Sequence, residues 1–173
     1  MTVPLLLALA LGQAHAGDAA LRSQVVGLLS GIEDPATEAD WAALGSEAGA
    51  ELLAIAKDAT ALPTQRGNAL VALGYFPTDE ARTHLSSVVR DESGESLLRR
   101  KACFGLARGW KDAAVADLSA ALASADVQVR STAARALGEV GSSSAKSALT
   151  ARLSAETNAS VRDAVSRALA GLE

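Results

Sequence analysis

Four arginines, Arg66, Arg99, Arg130 and Arg162, follow one another at steps of 33, 31 and 32 residues, and the residues after each of them recur in register. Three positions on stand Ala69, Ala102, Ala133 and Val165. Six on stand Ala72, Gly105, Ala136 and Ala168. Seven on stand Leu73, Leu106, Leu137 and Leu169, and eight on Gly74, Ala107, Gly138 and Ala170. A second set repeats further along: Ala81, Ala114 and Ala145, then Leu85, Leu118 and Leu149, then Val89, Leu122 and Leu153. Both sets advance by three or four residues, the spacing of one helical face. Each unit therefore reads as two helices. The break between them is expected at Pro77, Gly109 and Gly141 to Ser144.

A chain built from such units is constrained before any other feature is considered. One helical hairpin cannot bury its apolar face alone, so successive copies must stack and shelter one another. In this reading Leu137 faces the core of its pair, and Ala133 and Ala136 are small because neighbouring helices press on them. Asp126 and Asn158, four residues ahead of an arginine, sit where an N-cap is needed. The arginine column is read as structural, able to bond a cap of its own or an adjacent unit. Composition agrees with an all-α chain. Hydrophobic residues make up 49% but aromatics only 3%, and the excess of Ala and Leu favours helices over sheets.

The segments "DVQVRSTAARALGEVG" with "AKSALTARL", echoed by "SLLRRKACFGLARGW" with "AVADLSAAL", resemble the HEAT-repeat family in its short bacterial form. The period is shorter than the roughly 40 to 47 residues usual for that family. The Trp-Leu-Gly-Tyr pattern of tetratricopeptide repeats and the Thr-Pro-Leu-His of ankyrin repeats are absent. The resemblance implies an all-α, right-handed α-solenoid of about three and a half HEAT-like helical hairpins. The units are placed at 62–94, 95–125, 126–157 and a half repeat at 158–173, together the array 62–173. Residues 17–61 are read as an N-terminal helical cap or degenerate repeat. Within it, Leu21, Val25, Leu28, Leu29 and Ile32 form one stripe, "GIEDPATEAD" a turn, and "WAALG" with "AELLAIAKDA" a degenerate pair.

Residues 1–16 read as a signal peptide. Val3 to Leu11 is apolar, and Ala14-His15-Ala16 is a small-x-small cleavage site, although no Lys or Arg precedes the apolar run. The expectation is a periplasmic or secreted protein, cut near Ala16. The apolar run is too short for a membrane span. Gly17 stands where a lipoprotein would need Cys, and the single cysteine, Cys103, allows no intramolecular disulfide.

Charge and motifs argue against several classes of function. The net charge is −4, and binding to nucleic acid needs a sustained basic face, so no nucleic-acid partner is expected. Asp18, Glu33, Asp34, Glu38, Asp40, Glu47, Glu51 and Asp58 outweigh Arg22 and Lys57 in the first third. Arg99-Arg100-Lys101 is the only basic cluster and is read as solvated or paired. No catalytic residue is assigned. After His15, in the expected signal, only His84 remains, with no second ligand at metal spacing. Cys103 falls in a small or apolar column and is read as a buried, inert thiol. Phosphate loops and nucleophile elbows are absent, and no metal or cofactor is expected.

The HEAT resemblance implies that second helices line the concave side of the stack. Binding residues are therefore expected at Arg82, Ser86 and Arg90, at Ser119 between Val115 and Ala123, and at Lys146 and Thr150 with Ser154 beyond. This surface is small, polar and mildly basic, without the Trp, Tyr and clustered Arg of strong hot spots. Trp41 is expected in the core, and Trp110 in packing at an inter-helix turn. The function expected is a non-enzymatic adaptor or scaffold of the bacterial envelope, binding a protein or peptide on the concave face. The alternative is a phycobilin-lyase-like HEAT protein or an enzyme accessory subunit. A third reading, a structural role, would use Leu169 and Leu172 for assembly. The chain is expected to be a monomer or to self-associate weakly.

Overall fold

The computed structural model describes residues 19–31 and 36–172, and among these there is α-helix and 3₁₀-helix but no strand. The expected signal peptide, Ile32 of the first stripe and the centre of the expected turn lie outside the described residues. Helix α1 covers residues 19–29. It is followed by α2 (Glu38–Ala43) and α3 (Ala48–Lys57). The array then runs α4 (Pro63–Ala72), α5 (Asp79–Arg90), α6 (Ser96–Trp110), α7 (Val115–Leu122), α8 (Val127–Val140), α9 (Ser143–Ala155) and α10 (Ala159–Ala170). Short 3₁₀ turns, Leu73–Tyr75 and Lys111–Ala114, follow α4 and α6. None of the described helices is long and apolar enough to cross a membrane.

Local chemistry sets the helix boundaries. Asp126 and Asn158 accept hydrogen bonds from the second and third amides of α8 and α10, as the sequence predicts for N-caps. Thr37 caps α2 in a reciprocal box with Asp40, and Thr78 and Ser142 cap α5 and α9. Pro63 opens α4 at a position where no amide donor is needed. Gly141 ends α8 in the left-handed region at φ 70°. The break expected around Gly109 is present, but Gly109 is not the residue that makes it. Helix α6 runs on to Trp110 and is ended by Lys111, a non-glycine residue held at φ 47°. Gly109 is instead a contact residue, because a Cβ there would lie 3.1 Å from the Gly74 carbonyl oxygen.

The helices form two layers. First helices α4, α6, α8 and α10 pack in succession, and α5, α7 and α9 form the second layer, with α3 extending the stack against α4. The repeating columns are the interior. Leu73, Leu106 and Leu137 from one layer, and Leu85, Leu118 and Leu149 from the other, are all buried. Leu169 is only partly buried. The small-residue column sits where first helices meet. At Gly105 the backbones of α4 and α6 touch: a Cβ there would fall on the Leu70 carbonyl oxygen, and one on Gly74 would lie 2.8 Å from the Gly105 carbonyl oxygen. Upstream, Val25, Leu29, Trp41, Leu52 and Ile55 close the core at the α1–α3 end. Trp41 is in the core, as expected.

The arginine column lies at the ends of the second helices. Arg99 is buried; it donates to the Val89 carbonyl at the end of α5, to Glu92, and at 3.0 Å to the Ser124 hydroxyl after α7. Arg130 donates to the Ser124 and Ala125 carbonyls (2.9 and 3.0 Å) and to Glu156 after α9. Arg162 donates to the carbonyls of Leu153 and Glu156 (2.8 and 2.9 Å). A helix C-terminus leaves carbonyls without intrahelical partners and carries partial negative charge, so a guanidinium satisfies both needs at once. The arginines thus bond C-terminal ends and not the Asp126 or Asn158 N-caps. Arg66 differs. It reaches only Glu95, at 3.4 Å, and its Nε is buried without a partner among the described residues.

Glu156 is the carboxylate on which this network converges. It is buried and accepts from Arg130 Nε at 2.9 Å, Arg152 Nε at 2.9 Å and the Asn158 amide at 2.8 Å. Burial alone would raise its pKa. The Asn158 amide, Arg152 and Arg130 outweigh burial and hold it down at about 2, against an ordinary 4.5. A carboxylate with a depressed folded value stabilises the fold fully above its unfolded pKa and loses that contribution as pH falls through the folded one. Stability from this site should therefore decline between pH 4.5 and about 2. In urea titrations over that range, Glu156→Gln should flatten the decline and cost on the order of 3 kcal/mol at neutral pH. A Gly105→Ala variant should lose about 2 kcal/mol and melt about 6 °C lower, because the added methyl meets backbone and cannot be accommodated by a rotamer change.

Candidate binding surface

The second helices carry the residues singled out for binding. Arg82 and Ser86 are half-buried and Arg90 is exposed on α5; Ser119 is half-buried on α7; Lys146 and Thr150 are exposed on α9. The two arginines are engaged by the neighbouring hairpin. Arg82 donates to the Ala113 carbonyl at 2.6 Å. Arg90 pairs with Asp117 through Nε at 3.1 Å and through Nη2 at 2.9 Å, against a carboxylate that is itself buried. These contacts join α5 to the start of α7. Lys146 takes part in none of the ion pairs among the described residues, and so supplies the open charge of this face.

On α9 the face is a row of hydroxyls. Ser147 donates to the Ser143 carbonyl and Thr150 to the Lys146 carbonyl, each at 2.9 Å, and Ser154 donates to the Thr150 carbonyl at 3.3 Å. Bonding back onto the preceding turn fixes each hydroxyl proton and leaves the oxygen lone pairs outward. Together with Lys146 and Ala151 they line a shallow depression of about 580 Å³. This arrangement offers acceptors and one cation, and no apolar anchor.

The remaining sequence candidates sit in packing positions. Cys103 is fully buried, and burial pushes its thiol up to about 12, so no thiolate nucleophile forms near neutral pH. His84 is half-buried with Nε2 unpartnered among the described residues; burial, then Lys57 and Arg66, lower its pKa, opposed by Glu80. Among the described residues no group of three His, Cys, Asp or Glu side chains is placed to hold a metal. Trp110 is partly buried against the core, in packing as expected, but as the last residue of α6 and not in the turn. The basic run disperses: Arg99 turns inward, Arg100 donates to the Thr132 hydroxyl at 3.3 Å, and Lys101 donates to Asn68 at 2.9 Å.

A second surface lies on the outward side of the first helices, and sequence reasoning passed over it. Arg108 lies over the Tyr75 ring, its Cζ 4.5 Å from the centroid. Arg135 lies over Phe104 at 5.4 Å. A cleft of about 810 Å³ opens beside the Arg108–Tyr75 pair, with Trp41, Leu62, Val71 and Tyr75 in its wall and Lys101 and Arg108 among its polar groups. A smaller one of about 480 Å³ takes Arg135, Glu139 and Arg167. The sequence signal was the column five residues after each repeat arginine: Val71, Phe104, Arg135 and Arg167. That column alternates in chemistry along the stack, so it drops out of any search for identical residues.

Comparison with known proteins agrees with the architecture. No curated protein matches the chain. The family model described as HEAT repeats matches residues 91–170, a span that holds α6, α7, α8, α9 and α10. HEAT repeats generally mediate protein–protein interaction. With paired helices, a recurring arginine and a small-residue seam, that span is similar to HEAT repeats, and the described residues form an all-α HEAT-like solenoid.

Proposed function

We propose that the protein is a non-enzymatic scaffold of the bacterial envelope that holds a protein or peptide partner on its second-helix face. The observation that carries this reading is the set of contacts tying one second helix to the next: Arg82 to Ala113 and Arg90 to Asp117, with Arg99 of α6 bridging the ends of α5 and α7 through the Val89 carbonyl and the Ser124 hydroxyl. They fix neighbouring hairpins relative to one another, so the face across α5, α7 and α9 is already ordered before a partner arrives. Little ordering entropy is then lost on binding. Ser86, Ser119, Thr150 and Lys146 present the hydrogen-bonding groups, while Arg82 and Arg90 hold the frame. Location in the envelope follows from the apolar run Val3 to Leu11 and the Ala14-His15-Ala16 site.

The arginines and the lysine on this face should separate by experiment. With a photo-crosslinking residue at Ser119 or Thr150 in the native host, a bound partner should be trapped and identified by mass spectrometry. Lys146→Glu should reduce the trapped yield severalfold with no change in melting temperature. A folded Lys146→Glu protein that traps as much as the parent would argue against this face. Protein recovered from the same cells should begin at Gly17, and an N-terminus still at Met1 would count against export.

A further inference from the structure

We infer that the outward face of the first helices is a separate docking surface for an acidic, apolar-anchored segment of a partner protein. The inference rests on the reading of the chain as a protein-binding scaffold, but uses residues on the opposite layer. Lys101, Arg108 and Arg135 belong to none of the ion pairs among the described residues. In a chain of net charge −4, these three cations on one face have no carboxylate partner among the described residues. Two of them are held by aromatic rings, Arg108 on Tyr75 and Arg135 on Phe104. Stacking fixes the plane of a guanidinium; Arg108 gives one N–H to the Val71 carbonyl, and the donors that remain free on the two arginines match a carboxylate. Arg, Tyr and Phe brought together in this way are the chemistry of interface anchors, which the second-helix face lacks.

The neighbouring cleft specifies the rest of the ligand. Trp41, Val71 and Tyr75 line it, and so does Leu62, the one large hydrophobic side chain that is mostly exposed among the described residues (61%). An aromatic or aliphatic side chain of the partner fits there, with its flanking carboxylates reaching Lys101 and Arg108. Toward α10 the face changes sign locally. Glu139 lines the second cleft, and Asp163 already pairs with Arg167. The acidic segment should therefore run from the α1–α4 end and stop at Arg135. Three cations of this kind are too few for a polyanion, which needs charge repeated along its length.

The test is fluorescence anisotropy of the full chain with a rhodamine-labelled peptide of about ten residues, glutamates flanking two leucines, at low salt where such contacts are least screened. The peptide should bind, and its counterpart with glutamine in place of glutamate should bind about tenfold more weakly. Arg135→Glu, which removes only a ring contact, and Arg108→Glu, which also removes a bond to the Val71 carbonyl, should each weaken binding by about tenfold or more. Equal affinity for both peptides, or unchanged affinity in folded Arg135→Glu, would overturn the proposal. So would tighter binding of an oligothymidylate of equal charge. Crosslinking through Thr150 reports on the other layer, so either surface can fail while the other stands.

Discussion

Backbone contact between successive first helices sets the geometry of this molecule. Where α4 meets α6 there is no room for a side chain: Gly74, Gly105 and Gly109 bring carbonyl oxygens against Cα atoms. Further along, Gly138 faces the Ala168 methyl, which a Cβ there would approach to 3.0 Å. Such proximity removes the slack that long side chains would leave, and it holds each hairpin to the last. The buried leucines of both layers then fill the space between, and these include Leu106 and Leu118. Hydrophobic burial supplies the driving force, but the small-residue seam decides how each hairpin sits on its neighbour.

The arginines complete that arrangement from the other side of the stack. Second helices end in turns whose carbonyls would otherwise face one another across adjacent hairpins. Arg99 and Arg130 each bridge two such ends, and Glu156 gathers Arg130 and Arg152 with the amide that begins the next turn. A buried ion pair is weak evidence for net stability, because desolvation offsets much of its attraction. Its stronger effect here is on register. An arginine that must satisfy two helix ends tolerates only one placement of the second hairpin against the first. The seam and the arginine column therefore restrict the same freedom at two separated points.

Much of this was legible in the sequence because it recurs. Identical demands at each interface select identical residues, so Leu73, Leu106 and Leu137 announce themselves by position, and Asp126 and Asn158 by their place before a helix. What did not recur stayed hidden. The place where α6 ends was legible, but the residue that ends it was not: Gly109 serves packing, while Lys111 takes the left-handed turn. The bonding of Arg82 and Arg90 was missed because their acceptors, the Ala113 carbonyl and Asp117, lie about one repeat away and carry no mark of that role. The cation–aromatic face was missed for a related reason. Its members change identity from hairpin to hairpin, and only the fold brings Tyr75 beneath Arg108 and Phe104 beneath Arg135.

That contrast bears on where specificity resides in a repeat array. Positions that hold the stack together are bound to repeat, since every interface poses the same problem. Positions free of that duty are the ones able to differ, and here they differ on both layers. The second helices vary among Ser119, Lys146 and Thr150 over a frame fixed by Arg82 and Arg90. The first helices vary among Val71, Phe104, Arg135 and Arg167 over a seam fixed by glycine and alanine. On the two proposed surfaces, a hydroxyl-rich layer and a cation–aromatic layer share one buried core. A scaffold with two chemically distinct faces can hold two different segments at a fixed separation, a capacity that follows from stacking alone and needs no moving part.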